Sequence, residues 1–238
     1  MAAGVAQHSR FARDPWGRLT RTLETTYSIV FGDGVAAPAA LARFGAVHRR
    51  VRGTMGETAG PWTAGTPYDA ADPALRLWVH ATLVDTSLVV YERFVTRLSA
   101  GEAAAYYEDS RVLGRLVGVP EAVLPRTLDD FRAYLAEMLA NGIAVGATAR
   151  ALARQIFRPP GAAALALVGL MARFVTIGLL PAAVREQYGY RWTPARERAL
   201  GAFTRAVRTT VPALPPVLRV VPQARAAERR LRDRVSAA

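Results

Sequence analysis

The sequence contains no cysteine and no lysine, and it has only three histidines. Without cysteine there is no disulfide framework, no thiolate nucleophile, no iron–sulfur cluster and no cysteine zinc site. His8, His48 and His80 are therefore the main candidates for ligating a metal. The chain has 238 residues, of which 51% are hydrophobic, so it is long enough to bury the core of one domain.

All 31 basic residues are arginine, and they give the chain a formal net charge of +12. A surface that binds phosphate point charges normally contains lysine as well. Arginine without lysine, together with abundant alanine, glycine and valine, is instead typical of a GC-rich genome. We therefore expect no nucleic-acid partner.

Glycine and proline separate segments of helical length, and no alternation typical of strands is present. Asp14-Pro15 and Asp72-Pro73 each place an N-cap before a proline at the first helical position, and Ser99 to Glu102 is a capping box. The pattern predicts an all-α protein, a single globular domain of eight to ten helices. The predicted helices cover about 14–31, 38–52, 72–96, 99–118, 127–141, 147–157, 162–180, 181–188, 194–211 and 222–235, with a loop from Gly53 to Pro67. We expect residues 1–215 to form the helical domain and residues 216–238 a basic C-terminal helix.

Two segments bear on membrane contact. Residues 162–180 are nearly all apolar and approach transmembrane length, but Arg173 near the middle favours a buried core helix. The stretch from Arg219 to Arg234 holds six arginines and two acids, which indicates either a solvated helix end or a peripheral contact with anionic lipid. The first six residues do not resemble a signal peptide. We expect a cytoplasmic protein, either soluble or peripherally attached to a membrane.

The motifs of a P-loop, a dinucleotide site, a nucleophile elbow and a di-iron bundle are all absent. Helices, single histidines and many arginines remain, and this combination favours a cofactor held by one imidazole in a helical pocket. The three histidines differ in their surroundings. His48 borders the apolar pair Val47 and Val51, and its spacing leaves both a structural role and a ligand role open. His80 lies in a strongly apolar helix, so we expect it to be buried with a partner on another helix. His8, before the first long helix, is a surface residue or a cap neighbour.

Three polar residues of the first long helix share one face. Arg18, Arg21 and Thr22 are related by spacings of three and four residues. They form either an exposed polar stripe or a donor cluster able to hold a carboxylate or an oxygen-derived ligand.

The order and spacing of several short motifs resemble those of one family, over about residues 4 to 200. The motifs are Val5-Ala6-Gln7-His8-Ser9-Arg10-Phe11, Arg18-x-x-Arg21-Thr22, Val47-His48-Arg49-Arg50-Val51-Arg52-Gly53, Pro67-Tyr68-Asp69-Ala70-Ala71-Asp72-Pro73, Trp78-Val79-His80-Ala81-Thr82-Leu83-Val84-Asp85, and Tyr106-Tyr107 through Leu116-Val117-Gly118-Val119-Pro120. Together they resemble the catalytic domain of the MpaB and latex-clearing-protein (rubber oxygenase) family.

The resemblance implies a globin-like helical core that holds haem b and uses dioxygen to cleave isoprenoid double bonds. It implies that His48 is the axial ligand of the iron and that Arg18, Arg21 and Thr22 lie on the distal side. We keep His80 as the reserve candidate for the ligand. The leading hypothesis is thus a haem-dependent oxygenase acting on a hydrophobic, isoprenoid-like small molecule. The apolar helix around residues 75–90 would line its pocket. The alternative is a non-catalytic helical module that binds a hydrophobic ligand or an anionic membrane surface.

The chain departs from the family pattern in two places. Arg21 stands where latex-clearing proteins have lysine, and an arginine stays protonated, so it can hydrogen-bond bound oxygen but does not ligate iron. Residues 2–7 contain no acid, whereas those enzymes carry a distal carboxylate upstream of the arginine. The resemblance also implies that the family domain has a further helix upstream of residue 1.

Overall fold

The caps predicted from the sequence begin several long helices of the computed structural model, which describes residues 1–9, 14–157 and 166–236. The Asp14 carboxylate accepts a hydrogen bond from the Gly17 N–H at 2.9 Å, and Asp72 accepts from the N–H groups of Ala74 and Leu75. The Ser99 side chain forms the predicted capping box with Glu102. Each cap satisfies amide groups that the first helical turn leaves without a partner.

The described residues form twelve α-helices and one two-stranded antiparallel sheet, which confirms the all-α prediction. The elements are α1 (Ala2–His8), α2 (Pro15–Phe31), α3 (Ala36–His48), β1 (Arg52–Thr54), β2 (Pro67–Asp69), α4 (Pro73–Phe94), α5 (Ala100–Leu116), α6 (Leu128–Glu137), α7 (Ala147–Phe157), α8 (Ala166–Leu179), α9 (Ala182–Gln187), α10 (Pro194–Thr210), α11 (Pro216–Arg219) and α12 (Pro222–Ser236). Two short 3₁₀ turns and a π-helical turn at Met138–Gly142 connect them. The helices beyond the predicted range of eight to ten are the short α1 and α11.

The region after α3 differs from the prediction. The helix ends at His48 rather than near residue 52, and the predicted loop is bounded by β1 and β2, which pair Arg52 with Asp69. Strands of three residues are too short to show an alternating pattern, so the prediction missed them. Helix α1 is bound to this sheet, because the Gln7 amide donates to the Thr54 carbonyl at 3.0 Å and the Tyr68 hydroxyl donates to Gln7.

The loop between the two strands is held from a distant part of the chain. The Glu57 carboxylate accepts hydrogen bonds from the N–H groups of Ala147 and Thr148, both at 2.8 Å. These bonds lower the pKa of Glu57 and place a negative charge at the start of α7, where the helix dipole favours it. The loop is therefore anchored to α7 by a cap supplied from about 90 residues away.

The largest core cluster lies where α4, α5 and α6 meet. Its buried members are Ala81, Val84, Ala103, Tyr107, Leu128, Phe131 and Leu135. The rings of Tyr107 and Phe131 lie 4.9 Å apart, and the Tyr107 hydroxyl donates to the Pro125 carbonyl at 2.7 Å. Burial raises the pKa of Tyr107 to about 12. Burying two such aromatic side chains contributes several kcal/mol, at about 1.5–3 kcal/mol each.

The apolar segment predicted over residues 162–180 forms α8 from Ala166 to Leu179, and residues 162–165 lie outside the described part. Ile177 is buried, and an added Cβ at Gly178 would meet Leu200 of α10, so this helix packs partly inside the protein. In the ranges that the structure describes, no helix is long and apolar enough to span a membrane.

The basic C-terminal segment contains α11 and α12. Helix α12 packs against α2, and the Arg230 guanidinium donates to the Phe31 carbonyl at the end of α2. Helix α2 in turn packs along α3. Helix α2 therefore packs against both α3 and α12.

Candidate functional site

The α2–α3 pair carries the predicted site residues and forms a helical hairpin. Only residues 32–35 separate the two helices, which pack along each other, as in an antiparallel αα-hairpin. Arg18 lies thirteen residues before the end of α2 and His48 twelve residues after the start of α3. At a rise of 1.5 Å per residue, both are about 18–20 Å from the connecting turn. Arg18 and His48 therefore lie at similar distances from the connecting turn, towards the far ends of α2 and α3.

His48 is the last residue of α3 and is half-buried. Its Nδ1 lies 2.8 Å from the carbonyl oxygen of Phe44, one helical turn earlier, and the two rings are tilted by 33° with centroids 3.9 Å apart. A carbonyl only accepts, so Nδ1 carries the proton and donates. In the neutral ring Nε2 then carries the lone pair, and the hydrogen bond and the Phe44 ring set the ring orientation.

The polar residues on α2 are engaged mainly within their own helix. Arg21 donates to the Asp14 carboxylate at 3.2 Å, and both side chains are well exposed. The Thr22 hydroxyl donates to the Arg18 carbonyl at 2.9 Å. Within the described part of the chain, neither Arg21 nor Thr22 makes a hydrogen bond to His48. Arg18, Arg21 and Thr22 therefore remain predicted site residues on α2, and His48 lies on α3.

His80 differs from the prediction in one respect. It is buried, with 4% exposed, as expected, but its Nε2 has no hydrogen-bond partner among the described residues. The backbone of α5 passes close by, since a Cβ added at Gly114 would lie 3.0 Å from Nε2 and 3.1 Å from Leu124. Burial lowers the pKa of His80, so its neutral form is favoured. His8, in contrast, is exposed and bonds to the Arg52 carbonyl at 2.8 Å.

The predicted site did not include Asp85 of α4. Burial raises the pKa of this half-buried carboxyl group, and carboxyl groups perturbed in this way are frequent at functional sites. A signal was present in the sequence, because Asp85 is the only acid between Leu77 and Val90.

A cluster of arginines was also missed. Arg93 and Arg97 follow one another by four residues near the end of α4, and Arg205 and Arg208 by three residues on α10. Each pair is visible in the sequence, but the packing of α4 against α10 that unites them joins segments more than one hundred residues apart.

The donor groups of the described ranges do not form a conventional metal-ion cage. No three His, Asp or Glu side chains in those ranges are grouped so as to hold a metal ion. A cofactor attached through a single imidazole does not require such a group.

Comparison with known proteins shows which protein family the chain resembles. Residues 1–209 match the family described as "ER-bound oxygenase mpaB/B'/Rubber oxygenase, catalytic domain". Uncharacterized proteins of Mycobacterium bovis and Mycobacterium tuberculosis are each 32% identical over 180 residues, which is 73% of this chain and 66% of each relative. The chain thus matches about two thirds of the length of these relatives. No solved structure gives a significant match. The match over most of the chain shows that the protein belongs to the mpaB/rubber oxygenase catalytic-domain family, a family of oxygenases.

Proposed function

We propose that the protein is a haem b-dependent oxygenase that uses dioxygen on a hydrophobic, isoprenoid-like substrate, with His48 as the axial ligand. The observation that carries the proposal is the 2.8 Å hydrogen bond between His48 Nδ1 and the Phe44 carbonyl. Histidines that ligate iron commonly donate their other ring nitrogen in this way, because the bond fixes the tautomer and the ring orientation. Nε2 of His48 is therefore prepared to donate its lone pair to a metal.

The surroundings of His48 suit a flat, largely apolar cofactor. Val47 is 60% exposed, and Leu19 and Leu23 of α2 are 49% and 40% exposed on the same half of the hairpin. Removing such apolar side chains from water would favour the binding of a cofactor that covers them. A porphyrin held by His48 would cover apolar surface that otherwise faces water.

Arginine and threonine groups on α2 supply hydrogen-bond donors. Arg18 and Arg21 carry permanent positive charges, which suits them to bind a haem propionate or to donate to bound oxygen. The Thr22 hydroxyl is a further donor once it turns from the Arg18 carbonyl. The haem, when bound, would supply the activation of dioxygen, while these residues position the ligand and stabilise negative charge.

His80 suits the role less well than His48. The backbone of α5 at Gly114 and the Leu124 side chain lie against its Nε2. A porphyrin ring would need this space, so His80 could ligate iron only after α4 and α5 separate. The packing therefore supports His48 in preference to the reserve candidate.

The test is haem binding by the full chain and by histidine variants. We expect haemin added to the wild-type protein to give a protein-bound Soret band, and His48→Ala to shift that band and to weaken haem affinity. His8→Ala is the matched control, because it also removes one imidazole but lies outside the hairpin, and it should bind haem like the wild type.

The proposal is wrong if the wild-type protein gives no bound Soret band, or if His48→Ala keeps the band position and the affinity. Circular dichroism of each variant shows whether the helices are retained. His80→Leu separates the two candidates, because a band that depends on His80 and not on His48 would assign the ligand to α4.

A further inference from the structure

A cleft of about 440 Å³ opens between the end of α4 and the second half of α10, and no residue of α2 or α3 is among its lining residues. Four arginines line it, namely Arg93, Arg97, Arg205 and Arg208. Glu92 is the single carboxylate among its lining residues. A concave site with this excess of guanidinium groups attracts anions, and the volume is that of a typical small-molecule site.

Two of the four arginines, Arg93 and Arg208, are held by hydrogen bonds within the protein. Arg93 donates to Glu197 at 2.5 Å, and Glu197 also accepts from the Trp192 indole at 2.8 Å. Arg208 donates to the carbonyls of Val95 and Glu92, both at 3.2 Å. Since these carbonyls form the negative end of α4, Arg208 also offsets the partial charge that would repel an anion there.

The other two arginines have available side chains. Arg97 and Arg205 are exposed, and their guanidinium groups make no hydrogen bond or ion pair with the residues that the structure describes. Their planar guanidinium groups can each bind two oxygens of a phosphate or carboxylate. The guanidinium groups of Arg97 and Arg205 are therefore available to a ligand in this cleft.

A second, independent feature points to a ligand. Thr204 lines the cleft on α10 and is only 7% exposed, yet its hydroxyl has no hydrogen-bond partner among the described residues. Thr209 and Thr210 of the same helix instead donate to carbonyls one turn earlier, at 3.0 and 2.8 Å. A buried hydroxyl without a partner is unfavourable unless another group supplies the hydrogen bond. The hydroxyl oxygen is itself shielded from water, so a ligand oxygen in the cleft supplies this bond once the Thr204 side chain turns towards it.

We propose that this cleft, formed by Arg93, Arg97, Arg205, Arg208 and Thr204, binds a phosphate-bearing ligand. Phosphate matches the two free guanidinium groups because it offers several oxygens and a charge near −2. The same chemistry occurs in a soluble phosphorylated molecule and in the headgroup of an anionic lipid. The site lies on a different pair of helices from His48, and its occupancy does not depend on haem.

Calorimetric titration of the full chain with inorganic pyrophosphate tests the proposal. We expect saturable binding, and we expect R97Q/R205Q to weaken it by about tenfold or more, since each lost charged hydrogen bond costs roughly that factor. The matched control is R229Q/R232Q, which removes the same charge from exposed positions of α12 and should change the affinity less than about twofold.

Co-sedimentation with vesicles of phosphatidylglycerol and phosphatidylcholine forms the second arm and identifies the source of the phosphate. Pyrophosphate binding lost only in R97Q/R205Q supports a soluble ligand. Vesicle binding without pyrophosphate binding, lost only in the same variant, supports a lipid headgroup. The proposal is overturned if the wild type binds neither probe, or if R229Q/R232Q weakens binding as much as R97Q/R205Q does.

Discussion

The buried imidazole of His80 makes the stability of the protein depend on pH. His80 is 4% exposed, its Nε2 has no partner among the described residues, and burial lowers its pKa below the ordinary value near 6.5. The unfolded chain therefore binds a proton at a higher pH than the folded protein does. The stability associated with neutral His80 is fully present above about pH 6.5 and is lost as the pH falls towards the folded-state pKa.

The size of the effect follows from proton linkage. One proton taken up only by the unfolded state lowers the free energy of unfolding by at most about 1.4 kcal/mol per pH unit. Between pH 7.5 and 5.5, His80 is thus expected to cost up to about 1.4 kcal/mol, because the loss begins only near pH 6.5. The carboxylates with lowered pKa values titrate below this window and contribute little to it.

His80→Leu should remove this pH dependence. At pH 7.5 the leucine relieves an unpartnered nitrogen, worth about 1–3 kcal/mol, and introduces a shape mismatch of similar size against Gly114 and Leu124. We therefore expect little change at pH 7.5 and a variant up to about 1.4 kcal/mol more stable than the wild type at pH 5.5. Urea unfolding followed by circular dichroism at both pH values measures the difference.

His8→Leu is the control, because His8 is exposed. The reasoning is refuted if His80→Leu loses as much stability on acidification as the wild type, or if His8→Leu flattens the profile equally.

Three further predictions concern helix stability. Gly201→Ala should raise the free energy of unfolding by about 0.5–1 kcal/mol, because alanine favours a helix and its Cβ would meet only Arg205, at 3.8 Å. Gly178→Ala should lower the free energy of unfolding by about 1–3 kcal/mol, since its Cβ would lie 2.6 Å from Leu200 and 2.7 Å from Trp192. Urea denaturation measures both variants, and a change of the same sign for Gly201→Ala and Gly178→Ala would contradict this reasoning. Asp72→Ala should cost about 1 kcal/mol by removing the cap of α4, and a thermal unfolding midpoint equal to that of the wild type would argue against a role for the cap.

Local chemistry made much of the fold predictable. The Asp-Pro pairs at residues 14 and 72 and the capping box at Ser99 identify helix starts, because the cap and the first turn are within a few residues of each other. The end of α3 at His48 was not predictable in this way. It depends on the pairing of Arg52 with Asp69, which are separated by seventeen positions in the chain.

In the candidate site, too, features that depend on neighbouring residues were predictable, and features that depend on tertiary packing were not. Spacing predicted a shared helix face for Arg18, Arg21 and Thr22, whereas the packing of α2 against α3, the helix that ends at His48, depends on tertiary structure. The sequence also predicted that His80 is buried, because its helix is apolar, but the close approach of Gly114 that excludes a large partner depends on tertiary packing. The arginine cleft was missed for the same reason.

If Arg21 binds a ligand as proposed, its ion pair with Asp14 couples that binding to the folding of one helical turn. Asp14 caps α2 through Gly17 and at the same time accepts from Arg21, and both interactions lower the pKa of Asp14. A ligand that recruits the Arg21 guanidinium must take it from the cap. Occupancy would then loosen the first turn of α2, and by thermodynamic reciprocity a frayed first turn would release Arg21 for the ligand. The start of α2 can thus report on the state of the site.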